Sequence, residues 1–380
     1  MSAVEALPAE VLAALSPAAV KALTPGPGRM IAARGMLPLP RPGELATVLY
    51  QIAATDPALA ATAQATVDGL PDKVVAGALA DATVDGRVLA WLVPRVTKSP
   101  ALVEALILAP AVADATIVAL AERATAAQVD TIVANEQRLL RCPDIIAALY
   151  GNANARMSTV DRAVELAARA GVRVAGISAW DELARLVTSA PAGASAATDD
   201  AAFAQALAGV ATVADASVIS PDDRAGEDGV AIAAGEDQAP AVDDKQVPIG
   251  KLGIPAKIRL ATLGNAFARA ILIRDPLKLV AVAAIKSPGV TDLEAAKYAG
   301  NQALAADVIA YIAARRDWTR LYGTKKALIL NPKTPLTEST KLLLHLRERD
   351  LRLIASSKGI PSAVVAQARK LLNARSGGGK

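Results

Sequence analysis

Lys326-Ala327-Leu328-Ile329-Leu330-Asn331-Pro332-Lys333-Thr334-Pro335, followed by Leu343, Leu344 and Leu346, decides how this chain is read. An apolar helical run stops at Asn331-Pro332, and leucines resume at helical spacing beyond Pro335. Proline lacks the amide that a helix interior needs but is tolerated in a first turn, so the order is helix, turn, helix. The same punctuation recurs at Asp56-Pro57, Ser99-Pro100, Asp275-Pro276 and Ser287-Pro288, where a short polar residue before proline marks a new helix. Thr291-Asp292-Leu293-Glu294 adds a capping box, with Thr291 placed to accept the third helical amide and Glu294 to reach back to the cap amide.

Working outward, these marks repeat in order. Pro110-Ala111-Val112-Ala113-Asp114 aligns with Pro288-Gly289-Val290-Thr291-Asp292. After one residue of slippage Val133-Ala134 meets Ile312-Ala313, Ala148-Leu149 meets Ala327-Leu328, Asn152 meets Asn331 and Met157 meets Leu336. The matched residues are helix-face apolar positions and turn residues, so an internal duplication of one helical architecture is predicted.

The run from Lys326 to Leu346 resembles the helix, Asn-Pro-x-Thr-Pro, helix pattern of leucine-rich-repeat-variant and HEAT-like α-solenoids, best over Asp275 to Leu372. The resemblance implies stacked helical hairpins with an extended surface for binding macromolecules. The founding member of the variant family carries a cysteine-ligated iron–sulfur cluster. That feature does not transfer, because one cysteine cannot supply four thiolates.

Composition agrees with helix. The 380 residues are 53% hydrophobic but 3% aromatic, and Ala, Leu and Val carry the apolar fraction. Mean hydropathy is +0.34, yet the most apolar window, Ala101 to Leu120, is broken by Glu104, Pro110 and Asp114, so no membrane insertion is expected. The start Met1-Ser2-Ala3-Val4-Glu5, with Pro8 close behind, does not resemble a secretory signal, and a cytoplasmic location is expected.

Charge divides the chain. Residues 1–188 hold 16 Lys and Arg against 18 Asp and Glu, residues 189–248 hold 2 against 11, and residues 249–380 hold 23 against 8. The predicted chain is therefore all-α. It consists of an N-terminal helical repeat domain (1–188), a disordered acidic linker (189–248) rich in Ala, Gly, Asp and Pro, a basic C-terminal helical repeat domain (249–375) and a flexible tail (376–380). Within the linker, Phe203, Leu207 and Val210 fall at helical spacing and could form a transient helix.

No catalytic motif is recognised, and no cofactor or metal is expected. Cys142 has no nearby base, His345 lies on an Arg- and Leu-rich helix without a partner, and Gly250-Lys251-Leu252 lacks the rest of a phosphate loop. The distinctive stretch is Arg315-Arg316-Asp317-Trp318-Thr319-Arg320-Leu321-Tyr322-Gly323-Thr324-Lys325-Lys326, with Arg347, Arg349 and Arg352 in the next repeat. Cations interleaved with Trp and Tyr suit an acidic peptide, through arginine hydrogen bonds and cation–π contacts, or phosphates and stacked bases. The alternative is a solvated helix end, with Trp318 and Tyr322 buried between repeats. The expected role is a non-enzymatic protein–protein scaffold binding an acidic macromolecular partner. A nucleic-acid module using the same surface is the second reading, and a small-molecule substrate is not expected.

Overall fold

A computed structural model describes residues 5–189, 198–213 and 248–377, and within them the chain forms twenty-four α-helices joined by short turns, with no strand. The chain divides into two compact units, Met1–Ala155 and Arg156–Lys380. Helices Met157–Arg169 and Trp180–Ser189, assigned from sequence to the N-terminal block, pack within the second unit, the latter against Ile254–Leu263. Lys286 reaches Glu182 at 2.8 Å there.

Packing is local, as expected when each short helix buries one stripe against its neighbours. In the first unit Pro42–Thr55 packs on Pro57–Asp68 and on Asp72–Ala80. Asp72–Ala80 in turn packs on Pro100–Leu108, and Pro100–Leu108 on Ala126–Val133. In the second, Ile254–Leu263 packs on Lys278–Lys286, which packs on Ala306–Ala314, while Asp292–Gly300 packs on Tyr322–Leu330.

One connector recurs. At Asp81, Ala109, Asn152, Ser287 and Asn331 the carbonyl accepts from the amide three residues on, at 3.1 to 3.4 Å. The next helix then opens five residues beyond, at Gly86, Asp114, Met157, Asp292 and Leu336. The residue three on plugs the core at Val84, Val112, Ala155 and Thr334. This explains where the proline marks land. Pro57 and Pro100 do open helices, but Pro288 and Pro332 sit four residues ahead of theirs, at the second position of a turn that the ring's fixed φ favours. The duplicated residues occupy equivalent places, since Asp114 and Asp292 each open a helix and so do Met157 and Leu336.

Buried asparagines tie helices together across about 30 residues of chain. Asn152 donates to the carbonyls of Ala121 and Ala124, both at 2.8 Å, and Asn331 to those of Ala299 and Asn301 at 3.0 and 3.1 Å. Each satisfies carbonyls that a helix C-terminus leaves without intrahelical partners. The capping box at Thr291 forms with both hydrogen bonds, and a second, Thr125 with Gln128, was legible as Thr-x-x-Gln but not singled out. Glu294 also takes a bidentate ion pair from buried Arg269, both contacts at 3.0 Å.

Thr198–Ala211 is a helix, within the span assigned to the linker. It packs on Met157–Arg169 and Ile254–Leu263, burying Phe203, Ala206 and Val210. The ring of Phe203 lies 4.9 Å from the guanidinium of fully buried Arg259. Asn265 donates to the Val210 and Val213 carbonyls at 3.0 and 2.7 Å, as Asn152 and Asn331 do elsewhere. For residues 200–213 the linker assignment is therefore corrected, because Phe203, Ala206 and Val210 on one face are buried against Met157–Arg169 and Ile254–Leu263 and Asn265 holds the end of the helix. The rest of the linker, at 190–197 and 214–247, lies outside the described residues. So do positions 378–380 of the tail, while the last helix extends to Gly377. No helix among the described residues is long and apolar enough to cross a membrane.

Candidate binding surface

The basic segment begins where helix Ala306–Ala314 stops at Arg315, and it turns through a short 3-10 helix, Trp318–Arg320, into helix Tyr322–Leu330. Trp318 is buried and meets Tyr311 edge-on, with ring centroids 6.0 Å apart. Arg315 lies over both rings, 5.0 Å from the centroid of Trp318 and 5.7 Å from that of Tyr311. The guanidinium of an exposed arginine thus roofs an aromatic pair. Arg316 and Arg320 point to solvent, and among the described residues Arg320 has only Asp317 at 3.9 Å, with both side chains well exposed.

A second cluster links helix Tyr322–Leu330 to Glu348–Ser356. Tyr322 donates its hydroxyl hydrogen to Asp350 Oδ2 at 2.5 Å, and its oxygen accepts the Arg347 amide at 3.0 Å. The Arg347 guanidinium stands 4.8 Å above the Tyr322 ring, and Lys326 Nζ reaches Asp350 Oδ1 at 2.8 Å. Burial pushes the Asp350 carboxyl up, but the hydrogen bonds from Lys326 and Tyr322 outweigh it and hold the group below the ordinary aspartate value. Burial, then the bond to Asp350, raises the Tyr322 phenol.

The structure thus sorts the sequence-predicted residues. It brings Arg315 together with Trp318, and Tyr322 with Lys326 and Arg347. Arg352 pairs with Glu348 on the exposed face of helix Glu348–Ser356. Arg316, Lys325 and Arg349 make no ion pair among the described residues. Two participants were missed. Asp350 is masked in sequence by its arginine neighbours, and Tyr311 sits in an otherwise apolar helix. Their roles depend on a neighbouring repeat or turn, which no local pattern displays.

Residues 306–377 carry fourteen Lys and Arg against five Asp and Glu. All five acids are already matched by a cation: Asp307 by Lys278, Asp317 by Arg320, Glu338 by Lys341, Glu348 by Arg352 and Asp350 by Lys326. The positive excess therefore remains after internal pairing. Elsewhere, His345 is exposed and Cys142 half-buried at the end of helix Glu136–Arg141. Among the described residues no group of His, Cys, Asp or Glu could hold a metal ion. Compared with known proteins, the chain matches no family model, and no curated protein or solved structure is significantly similar to it.

Proposed function

We propose that the protein is a non-enzymatic α-solenoid scaffold whose basic C-terminal repeats hold an acidic protein segment. The helix-on-next-but-one packing and the repeated connector support the solenoid reading, since neighbour-only contacts are how such arrays bury their core. The observation that carries the partner class is the state of the aromatic rings. Trp318 is buried, Arg315 lies over the Tyr311–Trp318 pair, and Arg347 lies over Tyr322, so each ring of the basic segment is already buried or engaged by a cation before a base could stack on it. Single-stranded nucleic-acid binders draw about 1–3 kcal/mol per base from such stacking. What remains for a partner is exposed cationic charge, which suits carboxylates.

Arg316, Lys325 and Arg349 test this cleanly because none supports an internal ion pair. Replacing all three by glutamine should weaken binding of an acidic peptide about tenfold or more, from roughly 0.5–1 kcal/mol per lost contact, with helicity unchanged by circular dichroism. A competing titration with duplex DNA separates the second reading. A nucleic-acid module would prefer the longer polyanion and release it with a steep salt slope.

A further inference from the structure

Nine large hydrophobic side chains are strongly exposed among the described residues, and three of them, Leu336, Leu344 and Leu353, fall within the cation-rich span 306–377. Isolated exposed leucines are common on soluble proteins. Here, however, their setting is specific. On helix Glu348–Ser356, Arg349, Arg352 and Leu353 stand at i, i+3 and i+4, so all three share one solvent-facing stripe, with Leu353 half exposed. The opposite stripe, Asp350, Leu351 and Ile354, is buried. A polyanion such as DNA offers phosphates to the arginines but nothing apolar to the leucine. A simple acidic tract also leaves Leu353 in water.

We infer that this face takes an acidic amphipathic helix, in which carboxylates flank an aliphatic stripe that covers Leu353. This rests on the scaffold reading above and narrows its partner to one chemistry. Charge complementarity aligns the incoming carboxylates with Arg349, which makes no ion pair among the described residues, and burial of Leu353 adds a component that salt does not screen. Glu348, the one acid on the face, is already paired with Arg352 and offers the partner little repulsion.

The test uses the full-length protein and three fluorescein-labelled probes: a helical peptide of Glu, Ala and Leu, the same peptide with every Leu replaced by Ser, and a short DNA duplex. The Glu/Leu peptide should bind about tenfold more tightly than its serine counterpart near physiological salt, a ratio equal to about 1.4 kcal/mol. Leu353→Ser should erase that ratio while leaving the serine peptide's affinity unchanged. Equal binding of the two peptides by the unaltered protein overturns the inference but leaves the acidic-partner reading standing. DNA displacing both peptides overturns the inference and replaces that reading with the nucleic-acid one. Failure of all three probes at low salt overturns inference and scaffold reading together.

Discussion

At positions 152, 265 and 331 the side-chain amide donates to closing carbonyls of an earlier helix, and asparagine stands at all three. At 81, 275 and 301 the side chain accepts from an amide two residues on and makes no such donation. Two of these three are aspartate. The chemistry explains the choice, since an ionised carboxylate can cap a turn but cannot donate. Asn331→Asp should therefore cost about 2–4 kcal/mol in a urea titration, because two carbonyls lose their donor and face a charge instead, whereas Asn301→Asp should change stability by under about 0.5 kcal/mol. Equal costs would mean that the amide bonds are not what holds the neighbouring helices. The sequence identified Asn331 as a turn residue. Its reach to carbonyls some 30 positions earlier was not legible, because every residue carries a carbonyl and none advertises which will be left open.

Among the elements, helix Thr198–Ala211 shows how composition can outvote periodicity. Its apolar spacing was visible at Phe203 and Val210, but acids and small residues around it read as linker. The buried stripe is completed by Ala206, a residue that carries almost no hydrophobic signal on its own. Phe203→Ala should destabilise the second unit by about 3–5 kcal/mol, the usual cost of removing a buried phenylalanine, here with loss of the ring contact to Arg259. Thermal denaturation followed by circular dichroism measures it. A melting temperature unaffected by the change would mean that the helix contributes nothing to the fold. The capping box at Thr291 was fully legible, since its two partners lie three residues apart and form the same bonds in any surroundings. Its further use, tying Glu294 to Arg269, was not, because that pairing spans 25 positions.

For the whole molecule the consequence lies in where the chain can be cut. A sequence-based boundary at 249 suggests that residues 249–375 fold alone. In the structure, helix Ile254–Leu263 packs on Trp180–Ser189 and Thr198–Ala211, and Arg259 is buried between Phe203 and Met157. Removing those helices opens a charged side chain and Phe267 to water. A fragment of residues 156–380 should melt as one cooperative transition. A fragment starting at 249 should melt at lower temperature and bind a hydrophobic dye. Equal melting temperatures would show that the 157–213 helices do not support the block that follows them.

Helix content, the turn chemistry of Asn331-Pro332, the capping box and the charge contrast between residues 189–248 and 249–380 all follow from the sequence alone. Each rests on interactions within a few residues or on simple addition of charge. Which helices stack, where the two compact units divide, and which cations Asp350 and the aromatic rings have already engaged were decided only by tertiary structure. Those outcomes depend on groups 25 to 102 positions apart meeting in space. They depend too on backbone carbonyls and small side chains, which look alike wherever they occur in a sequence.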